Sequence, residues 1–341
     1  MKIEKSWFNK FKKDYQGKKV LIMGLGLLGR GVADAKFFNR IGAKVTITDL
    51  KSKKELKFSL KQLKGLTFNY VLGRHRKNDF LNADLILRNA AVPYNSPFLA
   101  IAREHNIPIE MDEALFMKYA SVKTIGITGT RGKSTTTMLI YKLLKSIDSQ
   151  VWLGGNILGK ATLPLLEKIN KDDWLVMELS SWQLQGKIRL QSSAASRALT
   201  NIYEDHLNRY KTMDSYIADK KLIFKYQTKK DFLVINEALR KNKDFIKKIK
   251  AKVIYFSKKD IPRSLLKKIK LKGGHNLENI AAVLKIAQIF KIKTNIVQKT
   301  IADFKGLKFR LQKIASISGV DYINDTTSTT PIAGTKALKS F

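Results

Sequence analysis

Short apolar runs, most of them closed by a glycine, an acid or an amide, recur along this chain, and apolar residues return every three or four positions between many of them. Lys19-Val-Leu-Ile-Met-Gly24 and Lys44-Val-Thr-Ile-Thr48 read as buried strands with a helical stretch to about Arg40 between them. Phe68 to Leu72 and Asp84-Leu-Ile-Leu-Arg88 continue the series, and Pro93 and Pro97 punctuate the loop that follows. Val122 to Thr128, Trp174-Leu-Val-Met-Glu178, Arg197-Ala-Leu-Thr-Asn201, Asp231-Phe-Leu-Val-Ile-Asn236 and Lys252-Val-Ile-Tyr-Phe256 are further strand patterns. Helical spacing runs through Met138 to Leu144, Met213 to Phe224 and Leu277 to Phe290. Unbroken apolar runs suit strands covered on both faces, and strands alternating with helices predict an α/β fold with a mostly parallel sheet. Ligands of such sheets gather at the strand C-terminal ends, where Glu178, Asn201 with the following Glu204-Asp-His206, and Asn236 stand.

One strand end carries distinctive chemistry. In Thr124-Ile-Gly-Ile-Thr-Gly-Thr-Arg-Gly-Lys-Ser-Thr-Thr-Thr137 a β-rich run enters a loop holding Gly129, Gly132, Lys133 and Ser134, and a helical pattern follows. Glycines let backbone N–H groups approach an anion, and the helix N-terminus adds a favourable dipole. Lys133 would reach the outer phosphates of a nucleotide, and the Ser134 hydroxyl suits Mg²⁺. The fifth residue before Gly132 is Ile127 rather than glycine, so the loop is a variant of the common phosphate-loop spacing.

A second glycine loop, Gly24-Leu-Gly-Leu-Leu-Gly29, lies between strand and helix, and Asp49 closes the next strand. Taken alone it reads as a dinucleotide site, a reading that rests on Gly24, Gly26, Gly29 and Asp49 only. The chain divides by these patterns into 1–119, 120–303 and 304–341. The last section offers Val320-Asp-Tyr-Ile-Asn324 as a strand and Pro331 to Leu338 as the start of a helix. So little structure buries no core alone, so the section is expected either to pack on the second domain or to be a third domain cut short at Phe341.

Composition narrows the classes. At 341 residues and 44% apolar content the chain can build two or three cores. It holds no run of 18 apolar residues and no apolar leader in its first ten, which argues against membrane insertion. Zero cysteines exclude disulfides, thiol nucleophiles and cysteine-ligated metals and fit a cytoplasmic protein. A net charge of +37 invites a nucleic-acid reading, but only 13 of the 65 basic residues are Arg and they are spread along the chain. No RNA-recognition signature or basic tail accompanies them, so the expectation is salt-sensitive sticking to polyanions without a specific nucleic-acid partner.

Five motifs in order give the chain a family likeness: Gly129-Thr-Arg-Gly-Lys-Ser-Thr135; Gly154-Gly-Asn-Ile157; Glu178-Leu-Ser-Ser-Trp-Gln-Leu184; Thr200-Asn-Ile-Tyr-Glu-Asp-His206 with Tyr216-Ile-Ala-Asp-Lys220; and Gly274-His-Asn-Leu-Glu-Asn279. Together they resemble the Mur ligase family, from about Lys19 to the last residue. The Gly24 loop with Asp49, the Glu178-Leu-Ser-Ser-Trp-Gln-Leu184 string, and Gly306-Leu-Lys-Phe-Arg310 followed by Asn324-Asp325 resemble its D-glutamate-adding branch.

The resemblance implies a Rossmann-like first domain for a UDP-linked substrate, a central P-loop ATPase-type domain and the beginning of a C-terminal ligase domain. It implies ATP-dependent joining of D-glutamate to UDP-N-acetylmuramoyl-L-alanine through an acyl phosphate, in peptidoglycan synthesis, by a monomer. Gly24, Gly26, Leu27, Asp49, Asn156 and Ser180 would then bind the UDP-linked substrate, the Gly24 loop and Asp49 at its UDP part and Asn156 at its sugar–peptide part. ATP would meet Gly129, Thr130, Arg131, Gly132, Lys133, Ser134 and Thr135, with Asn276 and Asn279 near the adenine, Arg310 near the base and Asp325 at the ribose. Lys133, Glu178, His206 and Lys220 would form the catalytic set. Two Mg²⁺ ions are implied, one served by Ser134 and Glu178 and one by His206 and a Lys220 carbamylated by CO₂, with Lys221 a rival for that role.

Each residue also has a plainer reading. Glu178 suits a structural carboxylate, His206 a surface histidine, Asn156 and Asp325 turns, Asn276 and Asn279 a cap and a core-edge amide, and Arg310 a surface ion pair. Arg131 stands where Asn is usual, Thr327 where Lys is usual, and Arg88-Asn-Ala-Ala-Val-Pro93 where Ser-Pro-Gly is usual. Other readings of the same chain are an amide ligase of this superfamily with another amino acid, or a non-catalytic nucleotide- or RNA-binding protein.

Overall fold

A computed structural model describes residues 6–186, 188, 196–207, 209–328 and 331–340. The chain divides into two compact units. One comprises Met1–Gly126, Trp152–Ala195 and Asp214–Tyr226, the other Ile127–Val151, Ser196–Met213 and Gln227–Phe341.

The first unit is built on a parallel sheet of β1 (Lys19–Met23), β2 (Lys44–Asp49), β3 (Asn69–Leu72), β4 (Leu85–Arg88) and β5 (Ile109–Glu110), in the order β3-β2-β1-β4-β5. β1 is central and buries Val20 to Met23 without alternation, as a strand covered on both faces must. The reversal of strand order beside β1 opens a crevice at the strand ends, and the Gly24 loop emerges there. On one side Leu21 and Met23 join Phe80, Ile86, Leu99 and Ala102 in the core. The helix Arg30–Arg40 buries Val32, Ala35, Phe37 and Phe38. An N-terminal helix, Ser6–Tyr15, was not legible in the sequence. It is held by the fully buried Phe11, whose ring lies 5.3 Å from Phe37, 5.6 Å from Phe38 and 4.9 Å from Tyr119.

A six-stranded sheet comprises β6 (Lys123–Thr128), β7 (Val151–Gly155), β8 (Trp174–Glu178), β9 (Ser196–Leu199), β10 (Phe232–Asn236) and β11 (Lys252–Phe256), in the order β11-β10-β9-β6-β8-β7. β9, β10 and β11 pair in parallel. The expected helix from Met213 ends at Lys221 rather than Phe224, and the expected helix from Leu277 begins earlier, spanning Gly274–Ile289.

Beyond the helix Thr294–Asp303, β12 (Gln312–Ile317) and β13 (Val320–Asn324) form an antiparallel hairpin, followed by the helix Pro331–Leu338. β12 alternates weakly between apolar and polar residues and escaped the sequence reading. Its Ile314 and Ile317 are exposed, as are Val320 and Tyr322 of β13. No helix among the described residues is long and apolar enough to cross a membrane.

Candidate functional site

The phosphate loop lies in the second unit, between β6 and the helix Lys133–Lys145. Its two glycines are sterically required. Gly132 has φ +83°, and a Cβ there would sit 2.0 Å from Asn279 Oδ1; one on Gly129 would sit 1.9 Å from Thr200 Oγ1. The loop backbone is pinned by the residues after β9. Asn201 accepts from Arg131 N through Oδ1 at 2.8 Å and donates from Nδ2 to Arg131 O at 3.0 Å. Thr200 Oγ1 donates to Arg131 O at 2.6 Å, and Thr130 N donates to Asn201 O at 3.0 Å. The Thr130 hydroxyl donates to Tyr203 O at 3.2 Å and accepts from Tyr203 N at 3.0 Å. Sequence reasoning marked Asn201 as a strand-end polar residue but missed that it and Thr200 clamp the loop. The signal was there in kind, since in a parallel sheet adjacent strand ends face the same ligand.

Lys133 Nζ lies over the loop and donates to the carbonyls of Gly129 at 3.0 Å and Thr130 at 2.9 Å. Ser134 Oγ accepts from Arg310 Nη2 at 3.2 Å, so Arg310, expected near the base, reaches the phosphate loop itself. Thr135 is buried at the start of the helix. Arg131 points its guanidinium at Asp205, 3.5 Å away, and Asp205 in turn accepts from His206 N at 3.0 Å, with His206 Nε2 3.6 Å from its other oxygen. Asn279, 3% exposed, packs against Gly132 and donates to Asn276 Oδ1 at 3.0 Å, while Asn276 Nδ2 donates to Lys272 O at 2.7 Å. Neither amide caps the helix, whose N-cap is Gly273 without a side-chain bond; the two instead stiffen its first turn beside the loop. Asp325 accepts from Leu311 N at 3.2 Å and from the Ser328 hydroxyl, and Thr327 Oγ1 donates to Phe309 O at 3.1 Å. Both fasten the hairpin's ends.

In the first unit the Gly24 loop is organised by Asp49. Its buried carboxylate accepts from Gly26 N at 3.1 Å and from Lys51 N at 2.9 Å, and Ser59 Oγ donates to Gly26 O at 2.7 Å. Leu27, by contrast, is 56% exposed at the loop's tip. Glu178 ends β8, 2% exposed; Oε1 accepts from Asn156 Nδ2 at 3.1 Å, and Oε2 has no hydrogen-bond partner among the described residues. A buried carboxylate oxygen left unmatched is costly unless a ligand matches it, and a hard cation does so well. Ser180 caps the short helix Ser181–Leu184 in a reciprocal box, accepting from Gln183 N at 3.3 Å while its own N–H donates to Gln183 Oε1 at 2.9 Å. Lys220 is buried, with Nζ 5.2 Å from the Tyr216 ring centre, whereas Lys221 is half-buried.

Comparison with known proteins gives this geometry its class. The chain matches the Mur ligase middle domain over residues 127–297 and the "Mur ligase MurD-like, N-terminal domain" over residues 18–110. It belongs to the Mur ligase family. A UDP-N-acetylmuramoylalanine--D-glutamate ligase from a Roseiflexus species is 33% identical over 354 residues, which cover 95% of this chain and 76% of that protein. Two solved structures from Thermotoga maritima share the fold. UDP-N-acetylmuramate-alanine ligase MurC has a TM-score of 0.59 at 18% identity, over 95% of this chain and 77% of its own. MurF ligase in complex with ADP has a TM-score of 0.54 at 18% identity, over 96% of this chain and 73% of its own.

Proposed function

We propose that this chain is an ATP-dependent carboxylate–amine ligase that adds D-glutamate to UDP-N-acetylmuramoyl-L-alanine in the cytoplasm. The observation that carries the reading is its likeness to a D-glutamate ligase along 95% of its length. Three domain sections, 1–119, 120–303 and 304–341, are part of the proposal, and the family matches at 18–110 and 127–297 support the first two.

The chemistry explains the residues. A carboxylate is a poor acyl donor because oxide is a poor leaving group. Attack of the alanyl carboxylate oxygen on the γ-phosphorus of ATP expels ADP and leaves an acyl phosphate. The amine of D-glutamate then attacks the acyl carbon, phosphate departs and an amide remains. Catalysis of such a transfer is mostly positioning and charge neutralisation. In this reading the backbone N–H groups of Gly129 to Ser134 cradle the phosphates and Lys133 offsets their charge. Asn276, Asn279, Arg310 and Asp325 flank the nucleoside. Gly24, Gly26, Leu27 and Asp49 take the uridine diphosphate, and Asn156 and Ser180 face the sugar–peptide part. Since both Asp49 oxygens already hold their own loop, this carboxylate serves the substrate partly by shaping the loop.

Ser134 and Glu178 would hold one Mg²⁺, and His206 and a carbamylated Lys220 a second. Bound there, the metal would supply charge compensation for the crowded phosphate and carboxylate oxygens. The unmatched Oε2 of Glu178 and the burial of Lys220 rather than Lys221 support this assignment.

Calorimetric titration with UDP-N-acetylmuramoyl-L-alanine at near-physiological salt, with UDP-glucose and NADH as controls, tests the substrate. D-glutamate-dependent phosphate release tests the reaction. Selective binding of the muramoyl substrate is expected. NADH binding without muramoyl binding would sink the proposal.

A further inference from the structure

One buried charged cluster in the first unit has no part in the chemistry above. Arg30, the first residue of the helix Arg30–Arg40, places Nη1 2.9 Å from Glu113 Oε1 and 4.0 Å from Asp112 Oδ1. Its Nη2 donates to the carbonyl of Gly155 at 2.6 Å. Glu113 is fully buried and Asp112 and Asp34 nearly so; the first two pair with the guanidinium, and Asp34 lies near enough to feel its charge. Burial first, then the neighbouring Asp112, holds the Asp34 and Glu113 carboxyls well above the usual carboxylate range, while the carboxylates together make Arg30 harder to deprotonate. Removing one partner from such a cluster strands the others, so it is kept in one arrangement.

That arrangement reaches Glu178 by two routes. The first runs through the turn after β7: Arg30 holds Gly155 O, Gly155 N donates to Thr162 Oγ1 at 3.0 Å, and Thr162 N donates to Asp112 Oδ2 at 3.4 Å. The next residue, Asn156, donates from its backbone to Glu178 O at 2.7 Å and from its side chain to Glu178 Oε1 at 3.1 Å. The second runs through the turn after β8: Gln183 Nε2 donates to Glu113 Oε1, and the same side chain completes the cap on Ser180.

We propose that Arg30, through its pair with Glu113, is a positioning residue that fixes the two turns flanking Glu178, and so sets how Asn156 and Ser180 meet the sugar–peptide half of the substrate. This rests on the substrate reading given above. A charged fork at the start of a helix that is otherwise packed with Val32, Ala35, Phe37 and Phe38 has a purpose only if both of its arms are used, and both are.

The test is paired calorimetry on the whole chain, with UDP-N-acetylmuramoyl-L-alanine and with UDP, for wild type, Arg30→Met and Arg30→Lys. Loss of a charge-assisted bond predicts that Arg30→Met binds the muramoyl substrate about tenfold more weakly while UDP changes by less than about twofold. Arg30→Lys keeps the charge but not the fork and falls between. Unchanged muramoyl affinity in Arg30→Met overturns the proposal. Equal loss for both ligands also overturns it, since Arg30 would then shape only the glycine loop beside it. Should Arg30→Met fail to fold by circular dichroism, Thr162→Val removes the acceptor of Gly155 N–H and carries the same expectation, and an unselective result there is equally fatal. Wild-type protein that binds UDP with no preference for the muramoyl substrate is a separate outcome: it refutes the functional reading, and this proposal with it.

Discussion

Replacing Gly132 by alanine probes the phosphate loop at its tightest point. Two costs are separable. The residue sits at φ +83°, where an L side chain costs roughly 1–2 kcal/mol. The new Cβ would also lie 2.0 Å from Asn279 Oδ1 and 2.8 Å from its Cγ, so the Asn279 amide must move. That amide is buried and donates to Asn276 Oδ1 at 3.0 Å, and stranding such a group costs about 1–3 kcal/mol. Gly319, in the turn between β12 and β13, has φ +78° with nothing within 4 Å of its virtual Cβ, so Gly319→Ala carries the strain alone. The expectation is a loss of about 1–2 kcal/mol for Gly319→Ala and about 2–5 kcal/mol for Gly132→Ala in urea unfolding. Titration with ATP on protein shown to be folded should give a loss of at least about tenfold for Gly132→Ala and none for Gly319→Ala. Equal destabilisation by the two substitutions, or ATP binding by Gly132→Ala within twofold of wild type, would refute the claim that Asn279 buttresses the loop.

Three further outcomes follow from the geometry. Asn201→Ala removes both side-chain bonds to Arg131 and should weaken ATP binding about tenfold with little change in UDP binding; loss of both affinities together would point to general unfolding. A ¹³C-carbamate resonance should appear when wild-type protein is equilibrated with labelled bicarbonate, persist in Lys221→Gln and vanish in Lys220→Gln, and its persistence in the latter would assign the modification elsewhere. Burial, then the neighbouring Asp112, raises the Asp34 carboxyl in the native state, whereas the unfolded chain releases its proton near pH 4, so native stability falls as pH rises above about 4 toward the native pKa. Asp34→Asn should therefore gain stability relative to wild type as pH rises above about 4, and a difference flat in pH would show that Asp34 is not the group that titrates.

What was legible in the sequence was what local physics dictates. Val20 to Met23 and Leu233 to Ile235 are unbroken apolar runs, and a strand buried on both faces admits little else. The helix Ser6–Tyr15 was not legible because it is mostly polar and exposed, and its place depends on one side chain, Phe11, finding Phe37, Phe38 and Tyr119 far along the chain. β12 was missed because Gln312 to Ile317 lacks an apolar face of strand period, and its pairing with β13 comes from the turn at Ser318 and Gly319. The helix expected from Met213 stops at Lys221, although Leu222 to Phe224 are apolar, because the backbone there tightens into bonds three residues back, Leu222 N to Asp219 O, Ile223 N to Lys220 O and Phe224 N to Lys221 O.

The site divides in the same way, and the division says what kind of information a motif holds. Glycines and Lys133 could be read because the phosphate loop demands particular backbone angles and a charge at fixed offsets. The groups that hold that loop, Thr200, Asn201 and Asn279, lie about 70 and 150 residues away and answer to no spacing rule, since they are selected by the shape the loop already has. The same logic separates Asp49 and Ser180, which look like ligand contacts in a string of letters, from their observed bonds, which first fix a loop and a helix cap. A carboxylate that organises a binding loop and one that touches the ligand both lower affinity when removed. They differ in what else is lost: Asp49→Asn should disturb the loop even without ligand, as a change in hydrogen exchange at Gly26 and Lys51, whereas a pure ligand contact would leave those amides unchanged.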